Sequence, residues 1–303
     1  MPQTKRKSAK RKSTKTKQPT QARKPRRHCN ALDGRQWIKN SISVWSDLRK
    51  QPEEMKLGHP ALFPEMLVER LIETFLSPEG RLVLDPFSGS GSTLIAAERA
   101  GKQGIGLEIS PEYVATANAR LQTLREASGD GSRIEADQQP VCSSGSIVYC
   151  DSAANLLTYV TPGTIDLCIT SPPYWNILNQ RRTADLKAVR HYGNRSDDLG
   201  IIADYEEFLT ATTTVLADVF TVLKPGAYCC VVVMDLRKKN RFFPLHSDLA
   251  TRLVEVGYLL DDLIIWNRQA EYNNLRPLGY PSVFRVNKVH EYIVLMQKPR
   301  EAH

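Results

Sequence analysis

Two rhythms alternate between residues 29 and 300. Continuously apolar runs recur in "RLVLD" (81–85), "QGIGLEIS" (103–110), "SIVYCDSA" (146–153), "TIDLCIT" (164–170), "AYCCVVVMDL" (227–236), "LLDDLIIWN" (259–267) and "HEYIVLMQK" (290–298). Runs of this kind suit strands covered on both faces, so seven strands of a mostly parallel sheet are expected. Between them the apolar residues return every three or four positions. "PEMLVERLIETFL" (64–76) has them at 66, 67, 68, 71, 72, 75 and 76, a helical stripe behind a proline. "PEYVATANARLQTLREA" (111–127) predicts a helix opened by proline. "DYEEFLTATTTVLADVFTVL" (204–223) predicts another, with Asp204 as N-cap and "KPG" as its stop. "RQWIKNSISVWSDLRK" (35–50) predicts a short strand or cap. No helical pattern separates the last two strands, so one of them should run antiparallel. The expected fold is α/β, with helices on both faces of the sheet. Ligands of such sheets bind beyond the carboxyl ends of the strands. The loops starting at Asp85, Glu108, Asp151, Ser171, Asp235 and Trp266 should therefore share one face.

Charge changes this picture at one end only. The 303 residues carry a net +8, but residues 1–28 hold 12 Lys/Arg and no Asp/Glu, which leaves 29 basic and 33 acidic residues elsewhere. The body is thus mildly acidic, and the tail, with little to bury, is expected to be disordered. Such a tail serves as a phosphate-seeking arm, or as a nuclear address in a host with a nucleus; the plainer reading is a solubilising extension. Residues 29–303 are expected to form one domain. No apolar run is long enough for a membrane span, and no secretory leader is expected. Cysteines at 29, 142, 150, 168, 229 and 230 form no C-x-x-C pair, so reduced thiols and no metal are expected.

Three stretches carry chemistry. "DPFSGSGST" (85–93) joins a strand to a helix, and Gly89 and Gly91 let a ligand approach the backbone. It fits neither G-x-G-x-x-G nor a phosphate loop. Glu108, 23 residues after Asp85 at the next strand end, is placed to accept hydrogen bonds from both ribose hydroxyls, which suggests a nucleoside-bearing cofactor. Asp151, at the third strand end, suits an adenine amine or a simple turn. In "SPPYW" (171–175), Pro172 and Pro173 stiffen the strand exit and hold Ser171 extended. The Ser171 hydroxyl and the Pro172 carbonyl then offer acceptors beside the Tyr174 ring. Such a site suits a planar base with an exocyclic amine: acceptors on both amine hydrogens draw the nitrogen lone pair out of conjugation, and the ring can stack on the base and stabilise developing positive charge.

With these, "HPALFP" (59–64), "LEISPEY" (107–113) and "LKPGAYCCVVVMDLR" (223–237) complete a set that resembles S-adenosylmethionine-dependent DNA amino-methyltransferases over about residues 30–300. The resemblance implies a Rossmann-like methyltransferase fold and S-adenosyl-L-methionine as cofactor. It places His59, Ala61, Phe63, Asp85, Phe87, Gly89, Ser90, Gly91, Glu108 and Asp151 around that cofactor, and makes Ser171, Pro172, Pro173 and Tyr174 the catalytic set. Serine at position 171 accompanies cytosine N4 methylation more often than adenine N6, which is the runner-up. The cofactor motifs precede the catalytic tetrapeptide, so the chain reads as a circular permutation of the commonest branch with this motif style. The permutation leaves short recognition loops at 176–199, 237–246 and 268–289. The first holds Arg181, Arg182, Lys187, Arg190 and Arg195; the second Arg237, Lys238, Lys239 and Arg241; the third Arg268, Arg276, Arg285 and Lys288. Arg181, Arg182, Arg190, Lys238, Lys239 and Arg241, with Trp175, are the expected contacts to double-stranded DNA, whose target base must leave the helix; for Trp175 a core role is the other reading. Carbon-5 methylation is disfavoured, since no Pro-Cys pair exists. Glutamine methylation on a protein would have Asn at 171. A non-catalytic DNA- or chromatin-binding protein would be expected to have lost these motifs. The expected setting is intracellular and DNA-associated, in a nucleoid or a nucleus. Monomer or dimer, and a cognate restriction endonuclease or other targeting partner, are left open.

Overall fold

The computed structural model describes residues 28–56, 63–128, 145–177, 198–272, 275 and 277–300. His59, Ala61, Arg181, Arg182, Lys187, Arg190, Arg195, Arg276 and the tail over 1–27 lie outside the described residues.

The order of elements is α1 (Gly34–Asn40), β1 (Val44–Trp45), α2 (Pro52–Lys56), α3 (Glu65–Phe75), β2 (Leu82–Asp85), α4 (Ser92–Arg99), β3 (Gln103–Leu107), α5 (Pro111–Ser128), β4 (Ile147–Tyr149), α6 (Leu156–Tyr159), β5 (Ile165–Thr170), α7 (Tyr205–Val222), β6 (Leu223–Val233), β7 (Leu236–Lys238), β8 (Arg241–Phe243), α8 (Leu245–Val256), β9 (Leu259–Asn267) and β10 (His290–Gln297). The main sheet runs β1-β9-β10-β6-β5-β2-β3-β4. Only β10 is antiparallel to its neighbours, β6 and β9. This is the expected Rossmann-like sheet, widened to eight strands by the two-residue β1 beside β9. The pair β7 and β8 forms a separate hairpin.

Alternation along the strands fills two large cores, and a smaller third cluster joins Leu94 and Ile95 of α4 to Ala117 and Leu121 of α5 and Val148 of β4. Leu84, Ile105, Cys168, Cys229, Val231 and Val294 meet Phe208, Leu216 and Val219 of α7 and Leu249 and Leu253 of α8. Val83, Leu167, Ile169, Cys230, Val232 and Ile293 meet Leu67 and Leu71 of α3, Ala96 and Ala97 of α4, and Trp45. Each fully buried aliphatic or aromatic side chain contributes about 1.5–3 kcal/mol, so this packing rather than helix propensity holds the layers. Among the described residues, Cys168, Cys229 and Cys230 are buried thiols and Cys29 and Cys150 are exposed, with no disulfide between any of them; Cys142 lies outside the described residues.

Helix starts follow their local chemistry. Asp204 accepts the Glu206 and Glu207 N–H groups at 2.8 and 3.0 Å and caps α7. Gly257, at φ +117°, ends α8 in the left-handed region. Several boundaries differ from expectation: β3 ends at Leu107 and β4 at Tyr149, short of the runs expected to reach 110 and 153. "KPG" does not separate α7 from the next strand: β6 begins at Leu223, which pairs with Ile165. The run expected to extend to residue 236 leaves the sheet at Val233, and Leu236 starts β7.

Candidate active site

The order reverses between β2 and β5: β3 and β4 follow β2 on one side, while β5 and β6 lie on the other. Loops leaving such a switch point diverge and open a crevice. A cleft enclosing about 820 Å³, its solvent-open part included, lies there. It is lined by Phe63, residues 86–90 and 92, residues 107–109, Ser152, Ala153, Ala154, Ser171, Pro173, Asp198, Leu199 and Val215. Of the expected cofactor residues, Phe63, Phe87, Gly89, Ser90 and Glu108 face this cleft; of the catalytic set, Ser171 and Pro173 do.

Gly89 and Gly91 sit at φ +52° and +84°, where a side chain is strained. Gly91 does not line the cleft. It begins α4, and a Cβ there would meet the Ala117 Cβ at 2.9 Å, so it lets α4 approach α5. Asp85 is likewise a support rather than a wall. It is fully buried and accepts from Thr93 Oγ1 at 2.6 Å, Thr170 Oγ1 at 2.7 Å and the Phe87 N–H at 3.1 Å. It thereby ties the glycine loop and α4 to the residue before Ser171. Asp151 also stays off the cleft and accepts from the Ser152 N–H, Asn155 Nδ2 and Tyr159 Oη. Its turn role is the one seen, and the adjacent Ser152 and Ala153 line the wall.

Glu108 is 7% exposed; it accepts the Gly89 and Ser110 N–H groups, both at 2.8 Å. Burial pushes its carboxyl up to about 7, against those two donors, and the neighbouring Asp85 and Asp198 charges add to the rise. Asp198 went unnoticed in the sequence. It accepts the Gly200 N–H at 2.7 Å, an Asx turn whose only local signal is the D-x-G spacing. A further unnoticed group is Arg120, which bonds the Ser90 carbonyl and pairs with Glu65, the first residue of α3. The Phe63 rim and the glycine loop are thus braced against each other.

The far end of the tetrapeptide differs from expectation. Tyr174 is 8% exposed and does not line the cleft; its hydroxyl donates to Glu291 Oε2 at 2.7 Å and lies 3.2 Å from Ser171 Oγ. In this conformation the ring braces the loop instead of offering a free face to a base. Trp175, expected at the DNA, is 4% exposed. It turns the chain at φ +52°, packs edge-on to Tyr205 and Phe243 at 5.3 and 5.1 Å, and carries Lys238 Nζ over its ring at 3.9 Å. Lys238 is therefore half-buried, whereas Lys239 and Arg241 are exposed on the β7–β8 hairpin. Arg285, from the loop before β10, reaches the Asn240 side chain of that hairpin at 3.3 Å.

A nucleoside with a cationic tail fits this donor set. Glu108 offers acceptors, the Glu108 and Asp198 carboxylates favour positive charge, and Ser92 Oγ is buried in the wall with no partner among the described residues. Among the described residues no helix is long and apolar enough to cross a membrane, and no cluster of His, Cys, Asp or Glu could hold a metal.

A family model described as DNA methylase, covering the N6 and N4 methylases, matches residues 2–119 and 165–303. The chain belongs to that family, whose cofactor is S-adenosyl-L-methionine. The type II methyltransferase M.ScaI of Streptomyces caespitosus is 34% identical over 111 residues, 35% of this chain and 34% of that one. M2.DpnII of Streptococcus pneumoniae is 39% identical over 89 residues, covering 29% and 33%. The orphan methyltransferase M.BamHII of Bacillus amyloliquefaciens is 46% identical over 70 residues, covering 23% and 26%. The chain thus spans about a third or less of the length of these relatives. A Thermus thermophilus protein solved with S-adenosyl-L-methionine bound is 28% identical over 50% of this chain and 54% of its own, with a TM-score of 0.35.

Proposed function

We propose that the chain transfers a methyl group from S-adenosyl-L-methionine to the exocyclic N4 amine of a cytosine flipped out of double-stranded DNA. The observation that carries this is one cleft shared by Gly89 and Glu108 on one side and Ser171 and Pro173 on the other. The cofactor supplies an electrophilic methyl group on a sulfonium. Glu108 accepts the ribose hydroxyls, Phe63 and Phe87 border the cleft, and the acidic wall favours the sulfonium and ammonium charges. Ser171 Oγ, and the carbonyl of Pro172, which itself does not line the cleft, would accept the two amine hydrogens and aim the nitrogen lone pair at the methyl group; the S–C bond breaks as the N–C bond forms, and one amine proton passes to water. Serine rather than aspartate at position 171 supports cytosine over adenine. The loops 176–199, 237–246 and 268–289 then serve as the recognition surface, within a cell interior and on DNA.

Incubation with labelled cofactor and DNA, followed by digestion to nucleosides, tests the reading. N4-methylcytosine is the expected product. N6-methyladenine would overturn the base assignment, and no label on any DNA would favour a non-catalytic DNA-binding protein.

Two quantitative outcomes follow from the site. An ionised Glu108 accepts two ribose hydroxyls and a protonated one does not. Cofactor affinity should therefore weaken by about tenfold per unit as pH falls below about 7. Calorimetry across pH 5.5–8.5 checks this; binding should release about one proton near pH 5.5–6, about half of one at pH 7, and none above about pH 8. On the hairpin, Lys239→Glu with Arg241→Glu should weaken DNA binding about tenfold or more and flatten its salt dependence by about two phosphate contacts. Fluorescence anisotropy at several salt concentrations measures both, and cofactor affinity should not change.

A further inference from the structure

Behind Ser171 the structure holds a chain of hydrogen bonds whose direction can be read from proton counting. Arg268, between β9 and β10, bonds Glu291 Oε1 through Nη1 and Glu271 Oε2 through Nη2, the latter at 2.8 Å. Its guanidinium also lies 4.6 Å over the Trp266 ring. Glu291, 3% exposed near the start of β10, has no proton to donate in this pair and can only accept. Its second oxygen takes the Tyr174 hydroxyl at 2.7 Å. Burial and the Glu291 charge hold the Tyr174 pKa well above the usual phenol value, so the hydroxyl keeps its single proton. That proton is committed to Glu291. The remaining contact, 3.2 Å between Tyr174 Oη and Ser171 Oγ, then has one consistent donor, the Ser171 hydroxyl.

We infer that Arg268, Glu291 and Tyr174 are positioning residues that point the Ser171 proton away from the cleft and leave Ser171 Oγ there as a hydrogen-bond acceptor only. A serine is ambivalent: with its proton aimed into the cleft it would confront the hydrogens of an incoming amine. The buried ion pair removes that choice before the base arrives, as preorganised polar groups do. This rests on the amine-methylation reading and deepens it, since it makes the site selective for a ligand atom that donates. It also gives the buried Tyr174 a role that does not need its ring face.

Kinetics of the full chain with cofactor and DNA test the inference with Tyr174→Phe, Glu291→Gln and the double variant. Tyr174→Phe deletes only the hydroxyl. Glu291→Gln brings an amide that can donate to Tyr174 and reverse the chain. Each single change should lower kcat about tenfold or more while the cofactor Kd stays within about twofold. Both act through one hydroxyl proton, so the double variant should be no slower than the slower single one. Thermal melting follows folding separately; if Glu291→Gln does not fold, the kcat of Tyr174→Phe alone decides. Single variants with kcat within about twofold of wild type, or losses that multiply in the double variant, would overturn the relay. A wild-type chain that methylates no DNA would instead overturn the reading beneath it, and the relay with it.

Discussion

Ser171→Ala is expected to lower kcat by about 10²–10³-fold while leaving cofactor affinity within about twofold of wild type. Ser171 lines the cleft, its hydroxyl lies 3.2 Å from Tyr174 Oη, and Tyr174 is not part of the lining. Loss of Oγ removes an acceptor whose value rises as the amine nitrogen becomes positive, so the penalty falls on the transition state more than on binding. Single-turnover methyl transfer alongside calorimetry of cofactor binding separates the two. Equal losses in kcat and cofactor affinity would mean that Ser171 belongs to the cofactor wall instead.

The second large effect is on stability. Asp85→Ala should cost about 3 kcal/mol, because it strands the Thr93 and Thr170 hydroxyls and the Phe87 N–H in a site with no exposure. It should also reduce both cofactor binding and turnover, since the same carboxylate joins the glycine loop to the end of β5. The pH dependence has a definite sign. Burial holds the Asp85 carboxyl up at about 6, above its value of 3.8 in an unfolded chain, with the three donors pulling the other way. A raised acid stabilises the fold most when protonated. That contribution is complete below about pH 4 and is lost as pH rises through 6, about 3 kcal/mol in all. Glu108 adds a loss of the same sign as pH rises through about 7. Urea unfolding at pH 5 and pH 8 should show wild type less stable at the higher pH. Asp85→Asn, which carries no charge there, should lose less over the same range.

The parts of the fold set by local pattern were readable from sequence. The continuous apolar runs locate the strands, Pro111 and Asp204 locate two helix starts, and the glycine loop and the Ser171 turn fall at strand ends on one face. Boundaries set by tertiary pairing were not. Lys224, Pro225 and Gly226 carry a stop signal, yet the sheet takes them up because Leu223 pairs with Ile165. The helix over 245–256 is missing from the sequence-based expectation, although Leu245, Leu249 and Leu253 recur four apart and are buried. Within the site, residue types at strand ends locate Gly89, Glu108 and Ser171. They do not separate a side chain that lines the cleft from one that supports it. Asp85 and Tyr174 point to partners 85 and 117 residues away, and such distances leave no trace in local spacing. Trp175 looked like a displayed aromatic because its neighbours in the core, Tyr205 and Phe243, come from distant elements.

A crystal structure of the chain with its cofactor and a short DNA duplex would test the shared cleft most directly. The account predicts the ribose on Glu108, the sulfonium methyl turned toward the tetrapeptide, and an extruded cytosine amine about 3 Å from Ser171 Oγ. A cofactor seated away from Gly89 and Glu108, or a base held on another face of the sheet, would contradict it.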